Sequence, residues 1–146
     1  MQTQTYFVPQ NTPPIKVNAS TTDVIMFLAG QVISCGLVLL ITNDSHIIAY
    51  HVPGFAVDDL VLQTLSEAAS GDNVERIWIF TNKIRGTECE EKYLKSAREI
   101  VRRFRTEAEY YVTNSESYSN LTVTVMPGLR LALNSNLQYD RTIHTQ

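Results

Sequence analysis

The sequence predicts one layered α/β (α+β) domain, in which two helices cover a mainly antiparallel or mixed β-sheet. Three observations support this fold class. Short apolar runs bounded by turn residues recur along the chain, two segments repeat apolar residues at three- and four-residue steps, and strand patterns surround those two segments. We expect the domain to span residues 15–134, between a loose N-terminal arm over residues 1–14 and a polar tail over residues 135–146.

The individual elements follow from local patterns. Strands are expected near residues 15–18 and over residues 24–28, 37–41, 47–50, 74–82, 109–113, 121–126 and 129–133. A first helix is expected over residues 57–69, because its apolar residues form one stripe and the acids Asp58 and Asp59 fall in its first turn. A second, strongly amphipathic helix is expected over residues 90–108.

Composition excludes several classes of protein. The chain has 146 residues, of which 44% are hydrophobic and 18% charged, so disorder and a coiled coil are excluded. The net charge of -3 argues against a protein that holds nucleic acid along its whole surface. The two cysteines, Cys35 and Cys89, are not in a CxxC pair or at the spacing of a zinc site, so we expect no metal and no cofactor.

The uncharged run over residues 24–41 raises a second interpretation, because roughly 18 apolar residues is the length of a membrane helix. Gly30, Gln31 and Ser34 interrupt this run, no Lys/Arg cluster flanks it, and the apolar run that follows has the length of a strand. We therefore expect strands and no membrane contact. With no secretory pattern at the N-terminus, we expect a cytoplasmic protein with free thiols, although delivery as an effector stays open.

The two apolar runs on either side of residues 43–45 predict a β-hairpin with a definite register. If the loop has three residues, the numbers of opposed residues add to 88, so that Leu37 faces His51. Cys35 and His51 then lie on the same face as diagonal neighbours, about 7–8 Å apart at the backbone. A loop with an even number of residues would move one of them to the opposite face.

A cysteine beside a histidine has a definite chemistry. The imidazole of His51 can take the thiol proton of Cys35, and the resulting thiolate attacks a carbonyl carbon. Ser34 and Gly36 flank the cysteine, where a small residue lets a substrate approach and backbone N–H groups can hold an oxyanion. The alternative interpretation is structural, because a buried cysteine also behaves as a small hydrophobic residue.

The arrangement resembles that of the chemotaxis receptor deamidases, the CheD family, which share a catalytic core with the cytotoxic necrotizing factor toxins. The features in common are Cys35, an apolar strand, an Asn/Asp turn and a second strand that ends in His51 and is followed by Val-Pro. The resemblance implies a CheD-like sandwich and a cysteine hydrolase that removes ammonia from glutamine side chains of a protein. It implies Cys35 as nucleophile and His51 as general base and acid.

Two positions depart from the family pattern. Ile33 stands where the family has glycine, and Ala29 stands where it has threonine, six residues before the cysteine. The residue that orients the imidazole is therefore unassigned, and Gln31, Thr22 or a backbone carbonyl are the candidates. In the toxin branch of the family a backbone carbonyl can hold the histidine.

Three functions follow from these observations. The first is a Cys/His amidohydrolase that acts on a protein partner. The second is a catalytically silent module of the same fold, which binds a protein or associates with itself as a homo-oligomer. The third is a nucleic-acid-binding module that uses the basic helix over residues 90–105, although most basic residues of such a helix simply form its solvated face.

Overall fold

In the computed structural model, the described residues are 2–19, 22–31, 35–82, 87–113, 120–134 and 136–145. They form ten strands, two α-helices and one 3₁₀ turn. The strands are β1 (Thr3–Phe7), β2 (Ile15–Asn18), β3 (Val24–Gln31), β4 (Gly36–Thr42), β5 (His46–Val52), β6 (Val74–Asn82), β7 (Ala108–Thr113), β8 (Asn120–Met126), β9 (Arg130–Ala132) and β10 (Leu137–Ile143). The helices are α1 (Asp59–Ala68) and α2 (Thr87–Phe104), and the 3₁₀ turn is Pro53–Phe55.

The strands form two mixed sheets. One has four strands in the order β1-β3-β8-β9, and the other has six in the order β10-β7-β6-β4-β5-β2. The pairs β1 with β3 and β6 with β7 are parallel, and the other pairs are antiparallel. The predicted layered α/β fold with mixed pairing and two helices is therefore confirmed.

The six-stranded sheet is the middle layer of three. In β4 every residue is buried, because successive side chains point to opposite faces and both faces are covered. Leu37 and Leu39 pack in the core between the two sheets, whereas Val38 and Leu40 pack against the helices. This double burial explains why β4 is a continuous apolar run and not an alternating one.

The apolar run over residues 24–41 therefore belongs to strands of two different sheets, β3 and β4. Among the described residues, no helix has both the length and the apolar character needed to cross a membrane.

The expectation of a loose N-terminal arm is wrong. Strand β1 lies within residues 1–14 and pairs in parallel with β3 along its whole length. Tyr6 stacks on Phe27, with ring centroids 6.0 Å apart, and the Gln4 amide donates to Asp23 at 3.0 Å. Strand β1 lies at the edge of the four-stranded sheet, where backbone pairing with β3 holds it in place. Its side chains can therefore be polar.

The expectation of a loose polar tail is also wrong. Strand β10 pairs antiparallel with β7, with an irregularity between Tyr139 and Arg141. Leu137 and Ile143 are buried at the two ends of the strand, and the residues between them are mostly exposed. Two buried apolar residues so far apart do not give the alternation of apolar and polar residues that predicts a strand. The sequence pattern therefore does not indicate β10.

The predicted hairpin register is confirmed. Strands β4 and β5 are joined by residues 43–45, and Leu37 pairs with His51. The Ser45 N–H donates to the Thr42 carbonyl at 3.1 Å, and Ser45 takes a positive φ of 65° that closes the three-residue loop. Cys35 precedes β4 and is buried in the core between the sheets.

Gly36, the first residue of β4, is a close-packing position. A Cβ atom at Gly36 would lie 2.5 Å from Cδ1 of Phe55, and such a distance is not tolerated between carbon atoms. Phe55 is held there by the positive φ values of Gly54 and of Phe55 itself. Its ring then packs edge-on against Tyr93 of α2, with centroids 5.8 Å apart. The missing side chain of Gly36 thus lets the 3₁₀ turn and α2 close over the sheet.

We predict that Gly36→Ala lowers the free energy of unfolding by about 1–3 kcal/mol, because the added methyl group overpacks the Phe55 ring. Urea unfolding of Gly36→Ala, Phe55→Leu and the double variant measures this. The cost of Gly36→Ala should shrink in the Phe55→Leu background, where a smaller and more flexible side chain can move away. An equal cost in both backgrounds would contradict the account.

Candidate functional site

Cys35 and His51 meet at one end of the core between the sheets. The distance from Cys35 Sγ to His51 Nε2 is 2.7 Å, which is hydrogen-bonding contact. Cys35 is 1% exposed and His51 is 2% exposed. Their contact follows from the hairpin register, since His51 shares the inward face of Leu37 and the chain leads from Cys35 directly into β4. The two residues that the sequence singles out are therefore brought together as a buried pair.

The other nitrogen of the imidazole is held by a backbone carbonyl. His51 Nδ1 lies 2.9 Å from the carbonyl oxygen of Val8, the residue that follows β1. Val8 is itself fixed, because its N–H donates to the Leu28 carbonyl of β3 at 2.9 Å. The residue that orients the histidine is thus supplied by the segment for which no structure was expected.

This contact determines the tautomer of His51. A carbonyl oxygen only accepts hydrogen bonds, so Nδ1 carries the proton and donates it to Val8. Nε2 is then an unprotonated acceptor that faces Cys35 Sγ, and the thiol S–H donates to it. The arrangement places a base where the thiol proton leaves.

Burial also sets the charge of the imidazole. Loss of solvation lowers the pKa of His51 below its ordinary value of 6.5, and hydrogen bonds to the backbone of Val8 and Ala29 act in the opposite direction. His51 is therefore neutral at pH 7 and free to take a proton. The backbone of Ala29 thus also belongs to the environment of the imidazole.

The other predicted site residues have different outcomes. Thr22 is exposed before the start of β3, and the two ring nitrogens of the buried His51 contact Val8 and Cys35 instead. The side chain of Gln31 and all of Ser34 lie outside the described residues. At Gly36 the space left by the missing side chain is filled by Phe55, so it does not admit a substrate there.

Two buried polar residues at the ends of β6 and β7 were not singled out from the sequence. Asn82 ends β6 and Thr113 ends β7, and the two are paired in the register of these strands. Both are buried, although each is polar. The only local signal is their position. Each comes two residues after an inward-facing aromatic residue, Phe80 or Tyr111, and so lies on the same face of the sheet at the end of its strand.

A separate group of side chains could hold a metal ion. The ligand atoms of Asp44, His46 and Asp72 lie within 4.8 Å of one another, the one such group among the described residues. An ammonium already offsets one of the two carboxylate charges, since Lys16 Nζ is 2.9 Å from Asp72 Oδ2. The group sits at the hairpin turn, at the other end of β4 and about 20 Å from Cys35, so a cation there would not contact the Cys/His pair.

The basic side chains of α2 lie on its solvated face. Lys92, Lys95 and Arg98 are exposed, whereas Arg102 binds Glu99 at 2.8 Å and Arg103 donates to Ser66 at 3.0 Å. This is the pattern expected of an amphipathic helix that packs its apolar face on a sheet. The side chain of Cys89 lies outside the described residues.

No protein-family model matches the chain, and no curated protein matches it.

We predict that His51 makes the stability of the fold fall as the pH drops below about 6.5. In this range the unfolded chain protonates His51 while the folded chain, with its lowered pKa, does not, so protons favour unfolding. The slope for one proton has an upper limit of about 1.4 kcal/mol per pH unit. Urea unfolding at a series of pH values measures it, with His51→Gln as the comparison. The same slope in both proteins would show that His51 is not buried in its neutral form.

Proposed function

We propose that the chain is a cysteine amidohydrolase that deamidates glutamine side chains of a partner protein. Cys35 is the nucleophile and His51 is the general base and then the general acid. The observation that carries the proposal is a pair of contacts made by the His51 imidazole. Nδ1 lies 2.9 Å from the Val8 carbonyl oxygen, and Nε2 lies 2.7 Å from the Cys35 sulfur. This set provides a base with the required tautomer, in contact with the only atom that it needs to deprotonate.

The reaction follows from these contacts. As the Cys35 sulfur attacks the amide carbon, its proton passes to His51 Nε2, and the imidazolium keeps its bond to Val8. Nε2 then returns the proton to the amide nitrogen, which leaves as ammonia, and a thioester forms. A water molecule attacks the thioester with Nε2 as base. The products are a glutamate side chain and the free thiol.

Burial favours a side-chain amide over a peptide bond of the main chain. Cys35 and His51 are almost fully covered, so the reacting group must be slender and must extend into the core. The glutamine side chain has an unbranched stem and a terminal carboxamide, whereas a main-chain amide carries the chain on both sides.

The free thiol that this reaction requires also fits a reducing compartment, and we propose the cytoplasm.

The same burial is the observation that favours a second function, a silent module that binds a partner without catalysis. In that case the pair would serve as a hydrogen-bonded part of the core and Cys35 would not react. The basic helix offers less support for nucleic-acid binding, because Arg102 and Arg103 bind other side chains of the chain and the net charge is -3.

We predict that the chain releases ammonia from synthetic pentapeptides with a central glutamine, and that Cys35→Ser abolishes this release. His51→Gln should lower kcat/KM by about 10²- to 10⁴-fold, because it removes the general base. Conversion of glutamine to glutamate is followed by mass spectrometry. Cys89→Ser is the matched control for the cysteine, because it removes the other thiol of the chain and should leave the rate unchanged.

Alkylation by iodoacetamide distinguishes the two functions independently of the substrate. In the amidohydrolase, Cys35 reacts faster in the wild type than in His51→Gln, because Nε2 accepts the thiol proton. Equal rates in the two proteins, together with no ammonia release by the wild type, would refute the amidohydrolase and leave the silent module.

A further inference from the structure

The Cys35 end of the six-stranded sheet carries a row of inward-facing residues. Extending the pairing of Leu37 with Phe80 by two residues brings Asn82 opposite Cys35, and Asn82 pairs with Thr113 on the next strand. Neighbouring strands are about 4.8 Å apart, so Thr113 lies about 10 Å from Cys35 across the sheet. The candidate nucleophile therefore has a polar row beside it that leads across the face of the sheet.

This row ends at a cavity. A space of about 120 Å³ is lined by five polar residues and two leucines, which are Thr113, Asn120, Leu121, Thr122, Asn134, Asn136 and Leu137. None of the described residues that line it is charged. The three asparagines are exposed, so the cavity opens to solvent, and the Asn136 N–H donates to Asn134 Oδ1 at 2.9 Å, which fixes one wall.

Thr113, one of the residues that line the cavity, has a polar atom without a partner among the described residues. Thr113 is 9% exposed, and its Oγ1 is buried without a hydrogen-bond partner among the described residues. An unpaired buried hydroxyl destabilises a fold, and replacement by an apolar side chain of the same shape removes that penalty. A partner supplied from outside the chain would remove it as well.

We propose that this cavity is a substrate subsite that binds the peptide group next to the target glutamine, with Thr113 Oγ1 as one of its hydrogen-bonding groups. The proposal rests on the amidohydrolase function. A peptide group presents one donor and one acceptor and no charge, which suits a cavity whose described lining combines hydroxyl and carboxamide residues with two leucines. The distance agrees, since the extended glutamine stem spans about 4 Å from Cα to the amide carbon and the next Cα is 3.8 Å further along the chain.

The test compares two probes, butyramide and N-acetylglutamine N-methylamide, which differ by the flanking peptide groups. In the wild type, the second probe should have the higher kcat/KM. Thr113→Val should reduce this advantage by about 2- to 10-fold, the value of one hydrogen bond, while kcat/KM for butyramide and the alkylation rate of Cys35 do not change. An unchanged advantage would overturn the subsite and leave the amidohydrolase intact.

Thr81→Val is the matched control. Thr81 is a buried threonine on the neighbouring strand, but it faces the helices and its hydroxyl is bonded to the Tyr110 hydroxyl at 2.6 Å. Thr81→Val should lower Tm and leave the probe preference unchanged. Thr113→Val should keep or raise Tm while it reduces the preference. A fall in Tm for Thr113→Val as large as that for Thr81→Val would show a bonded, structural hydroxyl and contradict the proposal.

A binding measurement separates failure of the subsite from failure of the proposed function. The Cys35→Ala variant is titrated with N-acetylglutamine N-methylamide, and the side-chain amide signals of Asn120, Asn134 and Asn136 are followed by NMR. We expect saturable shifts that are weakened in Cys35→Ala/Thr113→Val. Such shifts without any turnover by the wild type would refute the amidohydrolase and retain the subsite. The absence of shifts would overturn the subsite whether or not the wild type releases ammonia.

Discussion

The pairing of β4 with β5 is the constraint on which the site depends. Because side chains alternate between the faces of a sheet, a slip of one residue would turn His51 toward the helices while Cys35 stayed between the two sheets. The three-residue loop prevents this slip, and the packing of β4 on both of its faces resists it as well. The same register thus builds the core and brings a thiol against an imidazole.

A second constraint joins the N-terminal segment to this hairpin. Strand β1 runs parallel to β3 and delivers the Val8 carbonyl to His51 Nδ1, although 43 residues separate the two in sequence. A backbone carbonyl can do this whatever the side chain is, so the imidazole is oriented without a side-chain partner for Nδ1. Correct pairing of an edge strand thereby controls which ring nitrogen faces the thiol.

The features that the sequence predicts are the local ones. The hairpin register and the bounds of β6 follow from alternation and turn residues, and α1 and α2 follow from helical periodicity. Strands β1 and β10 have no such signal, because polar edge strands are stabilised by pairing with distant strands. The Val8 carbonyl and the unpaired hydroxyl of Thr113 are also invisible, since every residue has a carbonyl and a missing partner is a property of tertiary structure.

The protonation state of the His51 ring tests the central claim most directly. Long-range proton–nitrogen NMR correlations of the imidazole, recorded at pH 7 on the wild type, identify the nitrogen that carries the proton. The account predicts a neutral ring with the proton on Nδ1, bonded to Val8, and an unprotonated Nε2 that faces Cys35. A neutral ring protonated on Nε2 would contradict it, because that nitrogen could then not accept the thiol proton.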